Sequence, residues 1–334
     1  MLVLGLESTC DETACAIVAD GRRILCNVVS SQIDLHAEYG GVVPELACRR
    51  HVDIIIPVID QALSQAGVTL ANIDLIAVAQ GPGLIGALLI GLNTAKALSL
   101  SLGIPFIGVN HIEAHLYATL MSHERPVSYP CLGVVLSGGH TALVQMLAPG
   151  RHALIAETVD DAIGEAFDKT ARILGLPYPG GPQIEALARQ GDPLAYPFKA
   201  GQVKSKPLHF SFSGLKTAVL YASQEKTLSP QNKNDIAASF QHAAFKDVIR
   251  KAGLAAAQCG CSTLLFGGGV TNNQWLRKMF ADNSPGLQQL WPSAGLSLDN
   301  AAMIAGLGYH IYRDRGSGDA LEIDAFSRNI WNDC

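Results

Sequence analysis

The chain has 334 residues, of which 49% are hydrophobic and 16% are charged. This composition predicts a folded globular protein of one large or two medium domains and excludes a disordered or coiled-coil chain. The formal net charge of −5 lacks the basic excess of an autonomous nucleic-acid binder, so contact with a nucleic acid would need a local patch or a partner.

The chain begins directly with a strand-like run and has no signal peptide pattern, which predicts a cytoplasmic protein. The eight cysteines form no Cys-x-x-Cys pair and are predicted to be free thiols. The most apolar stretch, 86–104, contains Asn93 and Lys96. It therefore falls short of the ~18 uninterrupted apolar residues that a membrane span needs.

Three short apolar runs separated by turns predict a β-meander over the first thirty residues. Apolar periodicity predicts helices over 44–66 and 86–102, and a buried strand at 75–80 that ends in a glycine loop. A further strand over 103–110 leads directly into His111-Ile-Glu-Ala-His115.

The two histidines of this motif would lie on one face of a helix that begins just after a strand. Imidazole commonly binds transition metals, and ligands of open α/β sheets bind at that edge. A lone His-x-x-x-His is more often a pair of surface histidines, so the motif needs support from elsewhere in the chain.

The second half of the chain repeats the pattern of the first. A shift of 128 residues aligns Leu4 with Leu132 and Thr13 with Thr141, and each copy reads strand, polar turn, strand. This predicts a duplicated protein with two lobes joined near 122–130. The elements predicted beyond the repeat are a helix over 157–176, a long loop over 177–213, a helix over 235–258, a strand within 262–270 and a final helix from 299.

Three loops rich in glycine or hydroxyl side chains follow predicted strands, at 4–13, 135–141 and 266–273. The exposed backbone amides of such loops bind anions, and glycine lets a phosphate approach closely. None of the loops matches the Walker A or the G-x-G-x-x-G pattern. The set favours a nucleotide held between two lobes, by neither a P-loop nor a dinucleotide fold.

The sequence motifs, taken in order, resemble a known family. The motifs are ESTCDET, GPGLIGALLIG, HIEAH, LSGGHT, GEAFDK, YPGGP, FSFSGLKTA, GGGVTNN and SLDNAAMIA. They resemble the bacterial branch of the Kae1/TsaD family of tRNA N6-adenosine threonylcarbamoyltransferases. The resemblance implies an α/β actin-like ATPase (ASKHA) fold with a duplicated two-lobe architecture, mixed sheets flanked by helices and a ligand cleft between the lobes. The lobes would span 1–129 and 130–298, and a C-terminal helix, 299–330, would pack at their junction.

The resemblance also implies an acyltransferase. It would move the threonylcarbamoyl group of threonylcarbamoyl-AMP to N6 of adenosine 37 in tRNAs that read codons starting with A, forming t6A and releasing AMP. The partners implied are tRNA, a paralogous actin-like protein (TsaB) and a small P-loop ATPase (TsaE), and no membrane.

One divalent metal is implied, held by His111, His115 and Asp299, with Fe²⁺ preferred and Zn²⁺ as the alternative. Three protein ligands leave positions open for substrate, as catalytic sites require. On spacing alone, Asp299 is better explained as the N-cap of the last helix.

The same resemblance implies residues that bind the adenine nucleotide. Those residues are Val135, Leu136, Ser137, Gly138, Gly139, Asp168, Gly181, Glu185 and Asn273. Taken singly, several have a structural explanation: Gly181 as a turn glycine, Glu185 as a surface helix residue and Asn273 as a helix cap. Asp11, in the first loop, is a candidate catalytic carboxylate or a turn-stabilising residue.

Other functions compete with the transferase. A metalloprotease is one alternative, but Glu113 lies two residues from each histidine and would point away from a shared metal. An ASKHA-type kinase or ATPase has no need of a transition-metal triad, since Mg²⁺ prefers oxygen ligands. A non-catalytic binding role inside an assembly is a further alternative. Candidate patches for local contact with tRNA are Arg49–Arg50–His51 and Lys199, Lys204, Lys206 and Lys216, each of which is also explained as ordinary solvated surface.

Overall fold

The structure is a computed structural model that describes residues 1–124, 126–224 and 228–328. The chain forms two compact units. Unit 1 contains Met1–Pro126, Ala148–Arg151 and the chain from Pro292 onward, and unit 2 contains Val127–Leu147 and His152–Trp291. The lobe limits of 1–129 and 130–298 stay a prediction about domains.

Unit 1 is built on a five-stranded mixed sheet of order β3-β2-β1-β4-β5. The strands are β1 (Leu2–Glu7), β2 (Glu12–Ala19), β3 (Arg23–Ser31), β4 (Leu75–Gly81) and β5 (Phe106–Asn110). The first three are antiparallel, as the predicted meander requires, while β4 and β5 run parallel to β1. Its helices are α1 (Ile33–Ala37), α2 (Pro44–Ala66), α3 (Ile85–Leu102), α4 (His111–Met121) and α10 (Ala301–Arg315).

Helices cover both faces of this sheet, because alternate residues of β1 point to opposite sides. Val3 joins a core with α4 and α10, whereas Leu4 and Leu6 join a second core with α2 and α3. Gly5 lets α10 approach closely, since a Cβ there would meet the carbonyl oxygen of Ala301. These two cores fix α4 and α10 on the same side of the sheet.

The predicted helices over 44–66 and 86–102 are confirmed almost to the residue. Among the described residues, α3 is the one helix long and apolar enough to cross a membrane by length and composition, and a third of that window is buried. Core helices pass the same test, and α3 packs on β4 and α2. The last helix ends at Arg315, earlier than the predicted residue 330; residues 329–330 lie outside the described part of the chain.

Unit 2 contains a second five-stranded sheet, of order β10-β9-β6-β7-β8. Its strands are β6 (Cys131–Leu136), β7 (Thr141–Ala148), β8 (Arg151–Glu157), β9 (Thr263–Gly267) and β10 (Gln288–Leu290). Read from β8, the order repeats that of unit 1 from β3. The register repeats as well: Gly5 pairs with Ala16 in the first sheet, and Gly133 pairs with Val144 in the second. Gly133 follows Gly5 by 128 residues, and Val144 follows Ala16 by 128 residues. This is the shift of the predicted repeat, so the internal duplication is confirmed.

The helices of unit 2 are α5 (Ile163–Ile173), α6 (Gly180–Ala188), α7 (Ser213–Gln224), α8 (Pro230–Gln258) and α9 (Gln274–Asn283). They share one core with β6, centred on Phe167, Phe240 and Phe245. Two expectations need correction. The helix predicted over 157–176 begins only at Ile163, because Glu157 completes β8. The loop predicted over 177–213 contains α6, because Gly180 packs tightly on α5 and fixes the chain there.

Candidate functional site

Three side chains in unit 1 form a cluster with the geometry of a metal site. The ligand atoms of His111, His115 and Asp299 all lie within 4.8 Å of one another. Asp299 Oδ1 is 3.1 Å from His115 Nε2 and 3.6 Å from His111 Nε2. The structure thus brings together the three residues that the family resemblance names as metal ligands.

The helix α4 presents both histidines because of how it begins. Asn110, the last residue of β5, caps the helix by accepting hydrogen bonds from the amides of Ile112 and Glu113. This cap makes His111 the first helical residue, and His115 follows one turn later with its ring centroid 4.6 Å away. Both imidazoles are buried.

Asp299 is not the cap of α10. Asn300 takes that role, and its side chain accepts a hydrogen bond from the amide of Met303. The N-cap explanation of Asp299, which spacing alone favoured, is therefore wrong by one residue. The Asp299 carboxylate, one-fifth exposed, is instead directed at the two histidines.

The donor set fits a divalent transition metal. Neither ring nitrogen of His115 has a hydrogen-bond partner among the described residues, although both are fully buried. A buried imidazole without a hydrogen bond is costly unless something absent from the polypeptide satisfies it. Two imidazoles and one carboxylate are ligands that Fe²⁺ and Zn²⁺ both accept.

A buried carboxylate contacts His111 at Nδ1, the ring nitrogen that does not face Asp299. Glu7, at the end of β1, places Oε2 2.9 Å from His111 Nδ1, and its side chain has no solvent exposure. Burial lowers the pKa of His111, but the carboxylates of Glu7 and Asp299 raise it further, to about 9. In the metal-free protein the proton and the metal therefore compete for His111 over the neutral range.

The end of the turn after β1 and the first residue of β2 add two more carboxyl groups near Asp299. Asp11 is buried, and its carboxylate together with that of Asp299 acts on Glu12. Burial, then Asp299 and Asp11, raise the pKa of Glu12 to about 9. The candidate catalytic residue Asp11 thus belongs to an acidic turn beside the histidine cluster.

Glu113 makes a backbone contact and does not occupy the position of a metalloprotease general base. It is buried, and its Oε1 accepts a hydrogen bond from the amide of Gly150 at 2.6 Å. The carboxylate that a protease would need at the metal is therefore committed to a backbone contact.

The predicted surface patch 49–51 is only partly a surface. Arg49 and Arg50 are exposed, but His51 is fully buried. Its Nε2–H donates to the Cys10 carbonyl at 2.9 Å and its Nδ1 lies 2.6 Å from the Thr13 hydroxyl. The patch is wrong for His51 because the helix α2 turns that residue toward β2. Of the lysines in the other patch, Lys199, Lys204 and Lys206 are exposed, while Lys216 pairs with Asp161 at 3.2 Å.

In unit 2 the glycine loop after β6 is open to ligands. Val135 and Leu136 end the buried strand, and Ser137 Oγ accepts a hydrogen bond from the amide of His140, which closes the turn. Gly138 and Gly139 are exposed, and a Cβ at either would meet nothing within 4 Å. The loop therefore has open space beside both glycines.

Two other glycines allow neighbouring segments to pack closely against the backbone of this loop. A Cβ on Gly164, at the start of α5, would lie 2.6 Å from the Ser137 carbonyl oxygen. Gly268, in the third predicted loop, packs against the Leu136 carbonyl oxygen with a φ of +93°, a conformation that favours glycine. The second and third glycine loops thus contact each other within unit 2.

The remaining predicted nucleotide residues each hold a neighbouring loop. Asp168 accepts a hydrogen bond from the Gly180 amide at 2.7 Å, and Glu185 accepts one from the Gln274 amide at 3.0 Å. Asn273 caps α9 through the Leu276 amide, as the alternative explanation expected, and its amide group donates to Gln241.

Gly181 lies in the first turn of α6 rather than in an isolated turn, and it has open space beside it. Asp168, Glu185, Asn273 and Gly181 all lie in unit 2, as does the loop 135–139. Their role in nucleotide binding stays a prediction.

The sequence motifs did not single out Glu7 or Glu12. Both lie in the ESTCDET segment, where three acidic residues surround one turn. This clustering was a signal, since acids that share a buried turn need a counter-charge or a metal.

Two solved structures define the class of the fold. Full-length HypF in its phosphate- and nucleotide-bound form matches with a TM-score of 0.64 and 14% identity over 93% of this chain and 55% of that one. ROK hexokinase from Thermus thermophilus matches with a TM-score of 0.55 and 15% identity over 95% and 100%. The chain therefore has the actin-like ATPase fold that the family resemblance implies.

Sequence comparison narrows the class to one family. The family model for TsaD, tRNA N6-adenosine threonylcarbamoyltransferase, matches residues 23–306. A protein of that name from Protochlamydia amoebophila is 66% identical over 98% of both chains. Another from Symbiobacterium thermophilum is 51% identical over 93% of this chain and 92% of its own. The chain belongs to the TsaD family and is an acyltransferase.

Proposed function

We propose that this protein transfers the threonylcarbamoyl group from threonylcarbamoyl-AMP to N6 of adenosine 37 in tRNAs that read codons starting with A, forming t6A. The observation that supports this most directly is the convergence of His111, His115 and Asp299 in a member of the TsaD family. The adenosine amine attacks the carbamoyl carbon, the bond to the phosphate oxygen breaks, and AMP leaves.

The three ligands would hold one divalent metal, with Fe²⁺ preferred over Zn²⁺. When bound, such a metal supplies a Lewis acid for substrate oxygens. The protein contributes a rigid frame: α4 is capped by Asn110 and α10 by Asn300, and both helices pack on one face of the unit 1 sheet.

The loop 135–139 would hold the phosphate of the AMP group through backbone amides, while Asp168, Gly181, Glu185 and Asn273 would bind its ribose and base. The open space at Gly138 and Gly139 supports this role, because a phosphate needs close approach to backbone N–H groups. Asp11 would accept the proton that the attacking amine loses.

The expected partners are tRNA, the paralogous actin-like protein TsaB and the small ATPase TsaE, acting in the cytoplasm. A net charge of −5 is a reason to expect help in capturing tRNA. Exposed Arg49, Arg50, Lys199, Lys204 and Lys206 are candidates for local tRNA contact.

A reconstituted reaction tests the proposal. The full chain with TsaB, TsaE, ATP, threonylcarbamoyl-AMP and unmodified tRNA should yield t6A in a digest of the tRNA analysed by mass spectrometry. His111→Ala and Asp299→Ala should lose modification and bound metal together. Glu45→Gln, an exposed change on α2, is the matched control and should keep both. Full activity in the two ligand variants would refute the site.

A further inference from the structure

Glu7 is a carboxylate buried where no bulk solvent can screen it. Both of its oxygens accept hydrogen bonds: Oε1 from the amide of Thr9 at 2.7 Å, and Oε2 from His111 Nδ1 at 2.9 Å. A carboxylate buried in this way is costly unless each oxygen has a donor. These two contacts indicate that Glu7 has a specific role in orienting His111.

We propose that Glu7 is a positioning residue that keeps the proton of neutral His111 on Nδ1 and so reserves Nε2 for the metal. This inference rests on the metal site of the proposed function. A carboxylate only accepts hydrogen bonds, so the ring nitrogen that faces it must carry a proton. The other nitrogen, Nε2, then has the lone pair that faces Asp299.

The contacts of Glu7 fix the orientation of its carboxylate toward His111. The amide of Thr9 holds Oε1, which fixes the rotation of the carboxylate and aims Oε2 at the ring. The Thr9 hydroxyl lies 3.4 Å from the same Nδ1. His115, by contrast, has no hydrogen-bond partner at Nδ1 among the described residues. The orientation of the pair is therefore set from the His111 side, as outer carboxylates do for metal-bound histidines.

Glu7→Gln is a sharp test because it keeps the shape and reverses the hydrogen bond. The Thr9 amide is a donor, so the glutamine oxygen must face Thr9 and its NH₂ group must face His111. That NH₂ donates to Nδ1, which moves the ring proton to Nε2 and blocks the metal-binding lone pair. The matched control is Glu45→Gln, whose glutamate is exposed and pairs with Arg49 on α2.

The affinity of the purified full chain for Zn²⁺ is measured in competition with a chromophoric chelator. We expect Glu7→Gln to bind Zn²⁺ about 10- to 100-fold more weakly than the wild type, while Glu45→Gln binds as the wild type does. Thermal unfolding of the metal-free proteins checks that Glu7→Gln is folded. If it is not, ¹⁵N-histidine spectra of the zinc-loaded wild type decide alone: His111 should carry hydrogen on Nδ1 and show a metal-shifted Nε2.

Equal Zn²⁺ affinity of wild type and folded Glu7→Gln, or a zinc-bound Nδ1 on His111, would overturn the role of Glu7. In either case the wild type still binds metal, so the proposed function stands. A wild type that binds neither Zn²⁺ nor Fe²⁺ would instead refute the metal site, and the role of Glu7 with it.

Discussion

Asp299 Oδ1 lies 3.1 Å from His115 Nε2, although the two residues are far apart in the sequence. The contact exists because α4 and α10 share one face of the unit 1 sheet, where Gly5 and Gly308 admit α10 against β1 and β4. His115 gains little from it in the metal-free protein, since the approach lacks hydrogen-bond geometry.

Replacing His115 with leucine should therefore separate stability from function. His115→Leu removes two unsatisfied buried nitrogens and keeps an apolar side chain of similar size. We expect the metal-free variant to be about 1 kcal/mol more stable than the wild type. Its tRNA modification rate should fall at least about 100-fold, because a first ligand matters at least as much as its outer partners. Urea unfolding with a chelator present measures the first quantity, and t6A yield the second. A variant that is clearly less stable would show that the contact with Asp299 already stabilises the protein.

Gly139→Ala tests the phosphate loop without disturbing the fold. A Cβ at Gly139 meets no atom within 4 Å, so the unfolding midpoint should not fall. A methyl group between the loop amides and a phosphate should weaken AMP binding about tenfold or more. Isothermal calorimetry with AMP measures this effect. Gly253→Ala, in α8 with equally open space, is the control, and equal AMP affinity in both variants would exclude close phosphate contact at Gly139.

The same glycine-to-alanine change should have opposite effects on stability in the α10–β1 contact and in the open space beside α8. Gly5→Ala places a Cβ against the Ala301 carbonyl and 2.8 Å from the Ala305 Cβ, and should destabilise the protein by about 1–3 kcal/mol. Gly253→Ala should stabilise it by about 0.5–1 kcal/mol, because helix-interior glycine has excess freedom when unfolded. Because α10 follows directly from Asp299, Gly5→Ala should also weaken Zn²⁺ binding. Chemical unfolding ranks the variants, and a neutral Gly5→Ala would contradict the packing.

The buried His51 predicts a loss of stability in mild acid. Burial lowers the pKa of His51 below its ordinary value of 6.5, despite the opposing hydrogen bond to Cys10. Below pH 6.5 the unfolded chain takes up a proton that the folded protein resists, so the free energy of unfolding falls as the pH decreases. His51→Gln does not titrate and should show a shallower fall, by up to about 1.4 kcal/mol per pH unit.

The experiment is urea unfolding of the metal-free protein between pH 7.5 and 5. Arg50→Gln, its exposed neighbour on α2, is the control and should keep the slope of the wild type. Parallel curves for wild type and His51→Gln would show that His51 takes up its proton equally in the folded and unfolded states, which would contradict the lowered pKa.

Much of the fold could be predicted from local pattern. The 128-residue repeat predicted two copies of strand, turn and strand, and the copies share their register down to Gly5–Ala16 and Gly133–Val144. Apolar periodicity depends only on residues close in sequence, so it predicted the strands of unit 1 and α2 well. It failed at α5 and α6, where contacts among β8, Gly180 and α5 decide the boundaries.

The sequence by itself determined the family, the duplicated architecture and the identity of the three candidate ligands, because those depend on residue types in a fixed order. Only the tertiary structure decided that Asn300 rather than Asp299 caps α10 and that His51 is buried. It alone placed Glu7 behind His111. These facts depend on which side chains from distant segments are buried together. A hydrogen bond between residues 7 and 111 produces no periodic pattern in the sequence, so periodicity cannot predict it.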